Sequence, residues 1–242
     1  MRGHEYPIYS GAAPSSKRGV YGLLAVFAAV LVSGLQALGA WGARELLPDD
    51  REYARVMILL GSIAPLGVFG LLVFGFNRWG WRQKWLAPFF TLAGATQPAV
   101  LHGRYEGRVT RRPSGKGGPT PPPEDWPVVA VISQSWEQIS VSFVFTNPPV
   151  GERAESHSDM AVLKILEQGE VDLQYTYRHE RELKGGHGQH PGRHDGTSTM
   201  KFTRAEGGWT VTGRYYSEDA STGEIHLKQV PENPLQDRPG AG

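Results

Sequence analysis

Two apolar patterns divide the chain. Val20–Trp41 and Val56–Phe76 run without a single charged residue. At about 1.5 Å of rise per residue, each is long enough to cross a hydrocarbon layer of about 30 Å. The first is too long for the apolar core of a secretory signal peptide, and a second span follows it immediately, so both are expected to stay in the membrane. Pro65 and several glycines interrupt the second run, as membrane helices tolerate. From His102 the period changes to two. Short alternating runs rich in Val, Ile, Thr, Phe and Tyr are punctuated by Pro148-Pro149-Val150-Gly151, Glu206-Gly207-Gly208 and Ser221-Thr222-Gly223. Eight strands are expected: His102–Arg111, Pro127–Ser135, Gln138–Thr146, Asp159–Glu167, Val171–Arg178, Gly196–Thr203, Trp209–Tyr216 and Glu224–Val230. The Pro/Gly-rich stretch Arg112–Asp125 reads as a loop.

The predicted fold class is therefore two N-terminal transmembrane helices followed by an all-β domain. Eight antiparallel strands in meander order can close into a barrel just wide enough for one small ligand. The expected domains are an N-terminal tail (1–19), a two-helix membrane hairpin (20–76), an interfacial connector (77–97), the barrel (98–231) and a C-terminal tail (232–242). Trp79, Trp81 and Trp85 read as interfacial anchors, and Leu86–Thr96 as a segment along the membrane surface. Lys17 and Arg18 before the first span, with Arg78, Arg82 and Lys84 after the second, outnumber the three arginines of the connecting loop 42–55. Both termini are thus expected in the cytoplasm of a multi-pass protein.

Alternation sets the inward faces of the barrel. Ile139, Val141, Phe143 and Phe145 share one face of the third strand, and Val171, Leu173, Tyr175 and Tyr177 one face of the fifth. Trp209, Val211, Gly213 and Tyr215 share one face of the seventh. Most of these positions are core. The tyrosines need a polar partner if buried, which sets them apart. Arg214 is either a phosphate clamp or an exterior charge, and alternation favours the exterior.

Charge and composition narrow the function classes. The net charge of +1 splits into nine basic against five acidic residues before position 98 and sixteen against nineteen after it. An acidic domain is a poor match for polymeric nucleic acid, which is bound by neutralising many phosphates. The chain has no cysteine, so disulfides and thiolate metal sites are excluded. Apart from Gln36 the spans hold no buried acid, base or amide, which suits an anchor or an oligomerising element better than a transporter. His179, His187, His190 and His194 crowd one segment, but their spacing fits no standard zinc template. Ser156-His157-Ser158-Asp159 cannot form a triad within one strand, because adjacent side chains point to opposite sides. No enzyme site and no cofactor are expected.

The strand motifs occur in a definite order: Gly103-Arg104-Tyr105-Glu106-Gly107, then Ile132-Ser133-Gln134-Ser135-Trp136, then Leu173-Gln174-Tyr175-Thr176-Tyr177. His194-Asp195-Gly196-Thr197, Thr212-Gly213-Arg214-Tyr215-Tyr216 and Ser221-Thr222-Gly223-Glu224-Ile225 complete the set. With two preceding membrane helices, the chain resembles the SMODS-associating, two-transmembrane, β-strand-rich effectors of bacterial CBASS anti-phage defence over residues 20–230. The resemblance implies a minimal eight-stranded, lipocalin-like β-barrel that binds a cyclic dinucleotide made by a partner nucleotidyltransferase (a CD-NTase). It also implies homo-oligomerisation in the inner membrane, disruption of the lipid bilayer and death of the infected cell. A cyclic dinucleotide needs stacking surfaces for its bases and donors for its phosphates. Tyr175, Tyr177, Trp136, Tyr215 and Tyr216 are the candidates for stacking, and Arg214, Ser133, Thr146, Thr197 and Arg178 for phosphate or sugar. Tyr175, Tyr177 and Arg214 lead. The His/Gly-rich insert Glu182–Arg193 departs from the family pattern. The alternative function is a membrane-tethered lipocalin-like binder of a small hydrophobic ligand, with an unfamiliar barrel enzyme as a third possibility.

Overall fold

The computed structural model describes residues 4–10, 13–46, 51–112, 122–145, 154–166, 169–181, 194–218 and 220–231. The chain divides into two compact units: Ser15–Gln97 forms one, and Met1–Pro14 together with Pro98–Gly242 forms the other.

The helical unit begins with α1 (Lys17–Leu46) and α2 (Arg51–Arg78), each extending beyond its charge-free run. Among the described residues, Lys17–Trp41 is long and apolar enough to cross a membrane, and Ala64–Arg78 is a shorter apolar helical stretch. Val20, Leu24, Ala28 and Val32 fall at four-residue intervals and form the buried stripe of α1. Phe27, Val30, Leu38 and Trp41 lie on its exposed side. After α2 come two 3₁₀ turns, Gly80–Arg82 and Lys84–Leu86, and the short helix α3 (Ala87–Leu92). Trp79 and Trp85 are exposed as interfacial anchors should be, but Trp81 is fully buried. The expectation for Trp81 is therefore corrected: its ring lies under the Arg82 guanidinium at 5.3 Å. Gln97 donates to the carbonyls of Trp81 (2.8 Å) and Gln83 (3.1 Å), tying the end of the unit back to its first turn.

The second unit is the barrel. Its strands are β4 (Gly103–Arg112), β5 (Glu124–Gln134), β6 (Gln138–Phe145), β7 (Ala154–Ile165), β8 (Val171–Arg181), β9 (His194–Ala205), β10 (Gly208–Ser217) and β11 (Thr222–Val230). All eight pair antiparallel, and β6 pairs with β7 to close the ring. Two strands start three or more residues earlier than alternation indicates, β5 at Glu124 and β7 at Ala154. A β-bulge between Ser158 and Met160 explains the second difference. It reverses the in–out parity, so Ser156 and Ser158 face inward above it and Ala161 and Leu163 below it.

Three further short strands lie where only a tail is expected: β1 (His4–Glu5), β2 (Ile8–Ser10) and β3 (Ala13–Pro14). β1 pairs with the start of β6, and β2 runs parallel to the end of β7. Tyr6 and Ile8 are buried. Two apolar residues spaced by one are too few to show a period, so the sequence pattern misses them.

The core fills the barrel end near the β5–β6 turn. There Tyr6, Leu101, Tyr105, Trp136, Ile139, Leu163, Leu173 and Phe202 are almost completely enclosed. One buried amide organises this end. Gln134 accepts from the Leu101 amide at 2.7 Å and donates to Ala99 O at 3.0 Å and to Tyr6 Oη at 3.2 Å. It thus ties the N-terminal segment to the stretch that re-enters the barrel unit after Gln97. Replacing it, Gln134→Leu, strands a buried amide and a buried carbonyl, at about 1–3 kcal/mol for each unsatisfied group. Thermal unfolding of the full chain should show that loss. A Ser133→Ala change on the exposed side of the same strand should be near neutral.

Candidate ligand-binding site

Every barrel strand sends at least one side chain into a cavity at the opposite end. Its wall consists of Val109 and Arg111 on β4, Trp126 on β5, Phe143 and Phe145 on β6, and Ser156 on β7. Tyr175 and Tyr177 on β8, Ser198 on β9, Tyr215 and Ser217 on β10, and Ser221 and Ile225 at β11 complete it. The space between these side chains, open solvent at the mouth included, is about 740 Å³. The connections at this end, 113–121, 146–153 and 182–193, lie outside the described residues. Thr146 and the His/Gly-rich insert are among them.

Tyrosines form one side of the wall. Tyr175 and Tyr177 have ring centroids 6.3 Å apart, and Tyr177 meets Tyr215 edge-on at 6.5 Å. Glycines on the neighbouring strands make room for them. Tyr177 is in register with Gly196, and Tyr215 with Gly223. A Cβ at Gly196 would meet the Tyr177 ring, and one at Gly223 the Tyr215 ring. Each phenol thus lies flat across a strand with no side chain at that point, leaving its other face to the cavity.

Burial raises the Tyr175 phenol pKa above its ordinary value, opposed by its hydrogen bond with Ser198 and reinforced by the nearby Tyr177. Tyr175 is therefore a neutral hydrogen-bonding group at physiological pH. Ser198 Oγ donates to Arg214 O at 3.2 Å. Ser217 and Ser221 are held by a tight turn in which Ala220 adopts a left-handed conformation, φ 62°. The Ser217 amide donates to Ser221 O at 3.0 Å and the Ala220 amide to Ser217 O at 2.9 Å.

The other side of the wall is aromatic and cationic. Trp126 packs edge-on against Phe145 at 5.8 Å, and the Arg111 guanidinium lies 5.5 Å from the Trp126 ring centroid. Arg111 is the one cation among the described lining residues. The guanidinium thus borders an aromatic ring at the cavity wall, a geometry that favours a cation.

The expected site residues divide by position. Tyr175, Tyr177 and Tyr215 come together on the cavity wall. Arg214, Ser133 and Thr197 are exposed on the outer face, where period two puts them once Tyr215, Ile132 and Ser198 face in. Tyr216 is also exposed, and Arg178 is engaged outside with Asp159 (3.4 Å) and Asp195 (3.5 Å). Trp136 is buried in the closed end, away from the cavity lining. The leading role expected of Arg214 therefore has no geometric support, and Arg111 occupies the place it was to fill. Arg111 was legible: Tyr105, Gly107, Val109 and Arg111 share one face of β4. Trp126 was hidden by its proximity to the Pro/Gly-rich loop. The serines carry no periodic signal of their own.

A β-barrel sealed at one end, with an amphipathic cavity at the other, defines the class: a small-molecule receptor barrel. The chain belongs to the family whose model is described as Cap15, cyclic dinucleotide receptor domain, which it matches over residues 101–229, more than half its length. This agrees with the CBASS resemblance carried by the strand motifs. No curated protein and no solved structure matches the chain.

Three of the nine tyrosines, Tyr6, Tyr105 and Tyr175, have pKa values raised by burial above the ordinary 10.0. A phenol whose folded pKa lies above its unfolded value contributes stability that is complete below the unfolded pKa and lost as pH rises beyond it. The barrel should therefore hold its stability up to about pH 10 and weaken above it. Tyrosinate absorbance should show these three phenols ionising only on unfolding.

Proposed function

We propose that this protein is a CBASS effector in which the barrel receives a cyclic dinucleotide and the helical unit acts on the membrane. The carrying observation is the cavity wall of a cyclic dinucleotide receptor domain in which tyrosines face a single arginine. Tyr177, Tyr215 and Trp126 supply planar surfaces for bases, and Tyr175 lines the deeper wall. Arg111 supplies the charge for a phosphate, and Ser156, Ser198, Ser217 and Ser221 supply neutral hydroxyls for the remaining phosphate and sugar oxygens. The largely apolar lining also suits the alternative, a membrane-tethered binder of a hydrophobic ligand. The inward arginine and serines favour the nucleotide.

The nucleotide would come from a partner CD-NTase during infection. Binding would drive homo-oligomerisation of the helices, disruption of the inner membrane and death of the infected cell, with no cofactor or catalytic step. The barrel must be cytoplasmic to meet such a messenger. Chain connectivity supports this topology. Because β1 and β2 pair with barrel strands, the chain leaves the barrel unit before Ser15 and returns to it after Gln97. A chain that leaves a domain and rejoins it crosses a bilayer an even number of times, and α1 and α2 provide two crossings. The basic residues outside both spans direct the termini to the cytoplasm.

Thermal-shift titration of the full chain with cyclic di- and trinucleotides tests the receptor role. At least one should stabilise it. Arg111→Ala should then weaken binding by about tenfold or more, since a hydrogen bond to a charged group is worth about 1.5–3 kcal/mol. Tyr177→Ala should weaken it as well, whereas Arg214→Ala should not. Equal losses for Arg111→Ala and Arg214→Ala would move the site off the cavity wall. Vesicles carrying the full chain should release an entrapped dye when the stabilising nucleotide is added, and those carrying Arg111→Ala should need a higher concentration.

A further inference from the structure

The seam that closes the barrel is only half made by barrel strands. β6 and β7 pair from Phe145↔Ala154 to Ser142↔His157, and the pairing stops there. At the fork the Val141 amide donates to Ser158 Oγ at 2.9 Å, so a side chain takes the place of the ladder carbonyl. Below the fork the N-terminal segment stands between the strands. β1 covers the β6 edge through His4↔Ile139 and Glu5↔Gln138, and β2 covers β7 through Ile8↔Leu163, Tyr9↔Lys164 and Ser10↔Ile165. Tyr6 donates to Ser135 O at 3.1 Å, and the Leu163 amide donates to Pro7 O at 3.1 Å.

We propose that β1 and the lower half of β7 are alternative partners for the same β6 edge, giving the seam two pairings, one of which releases the N-terminal segment. The edge at Gln138–Ile139 must be paired in either arrangement. Beyond the bulge β7 already has the parity needed to zip onto it: Ala161 and Leu163 face inward like Ile139, and Val162 lies on the opposite face, like Gln138. β1 holds the edge through only two residues. Its anchors are Tyr6 and Ile8, whose burial favours the docked pairing.

The upper half of the same seam lines the cavity, because the paired residues Phe143 and Ser156 both belong to its wall. A ligand that draws those two strands together favours further zipping and expulsion of β1. Residues 11–16 join the released segment directly to α1 at Lys17. The seam is thereby a switch between cavity and first membrane helix. Its response to nucleotide rests on the receptor function proposed above, whereas the existence of two pairings does not.

The absence of cysteine allows a direct test. The triple variant Glu5→Cys/Gln138→Cys/Val162→Cys offers position 138 two partners, 5 when the segment is docked and 162 when the seam is zipped. Facing residues on paired antiparallel strands lie within disulfide range. The full chain in lipid nanodiscs is oxidised, and the two bridges are quantified by peptide mapping. Without nucleotide the 5–138 bridge should dominate. Adding Tyr6→Ala should shift the product to 138–162. Tyr6→Phe, which keeps the ring and loses its hydrogen bonds, should shift it in the same direction but less far.

Amide-exchange protection of β9 and β10 distinguishes a switched seam from an unfolded barrel. If Tyr6→Phe leaves a folded barrel with no 138–162 bridge, the two-pairing proposal is overturned. Cyclic di-AMP, cyclic di-GMP and cyclic GMP-AMP are then added to the triple variant. A nucleotide that raises its melting temperature should also raise the 138–162 fraction, and stabilisation with no change in the fraction overturns the coupling. If none of the three raises the melting temperature, the receptor function fails for those nucleotides while the Tyr6 variants still decide the seam.

Discussion

A closed sheet must give every edge amide a partner, and in this barrel that requirement is hardest to meet between β6 and β7. Half of the seam is satisfied by the strands themselves, and the rest by a segment from the far side of the helical unit in sequence. Much of the remaining organisation depends on this solution. It brings Tyr6 into the closed end of the barrel, where Gln134 receives it beside Ala99 and Leu101. It makes the barrel discontinuous in sequence, with α1 and α2 as an insertion. It also leaves the upper part of the seam, with Phe143 and Ser156, to serve as cavity wall.

The two ends of the barrel differ in what fills them. Large apolar side chains and one amide hub occupy the closed end. At the open end, tyrosines laid across Gly196 and Gly223 leave a concave wall instead of a plug. The same fold thus supplies its stability and its recognition from separate layers. Changes in the cavity need not cost the core its packing, and the arginine opposite the tyrosines can be altered without disturbing the ladder.

The sequence made the barrel legible because its signal is repeated eight times. Inward positions such as Leu173, Tyr175 and Tyr177 follow from period two alone, and so does the outward position of Arg214. What escaped was whatever depends on context. The bulge at Ser158–Met160 breaks the period that would have extended β7 upstream. Trp126 lies at a strand start beside a Pro/Gly-rich loop. Tyr6 and Ile8 form a strand only because a seam awaits them, so no local propensity announces it. Arg214 drew attention through Tyr215 beside it in sequence, yet across a strand adjacent side chains face opposite ways.

The insertion of the helices within the barrel also has a consequence for the order of synthesis. Residues 4–10 leave the ribosome ahead of both helices, but their seat on β7 is not made until Ile165 has emerged. At about 5–20 residues per second, that interval is on the order of 10–30 s. During it α1 and α2 emerge while the segment ahead of them has no partner. Capture of that segment must therefore wait until both helices and β7 exist, so the seam is sealed by residues that have stood unpaired through the making of everything between.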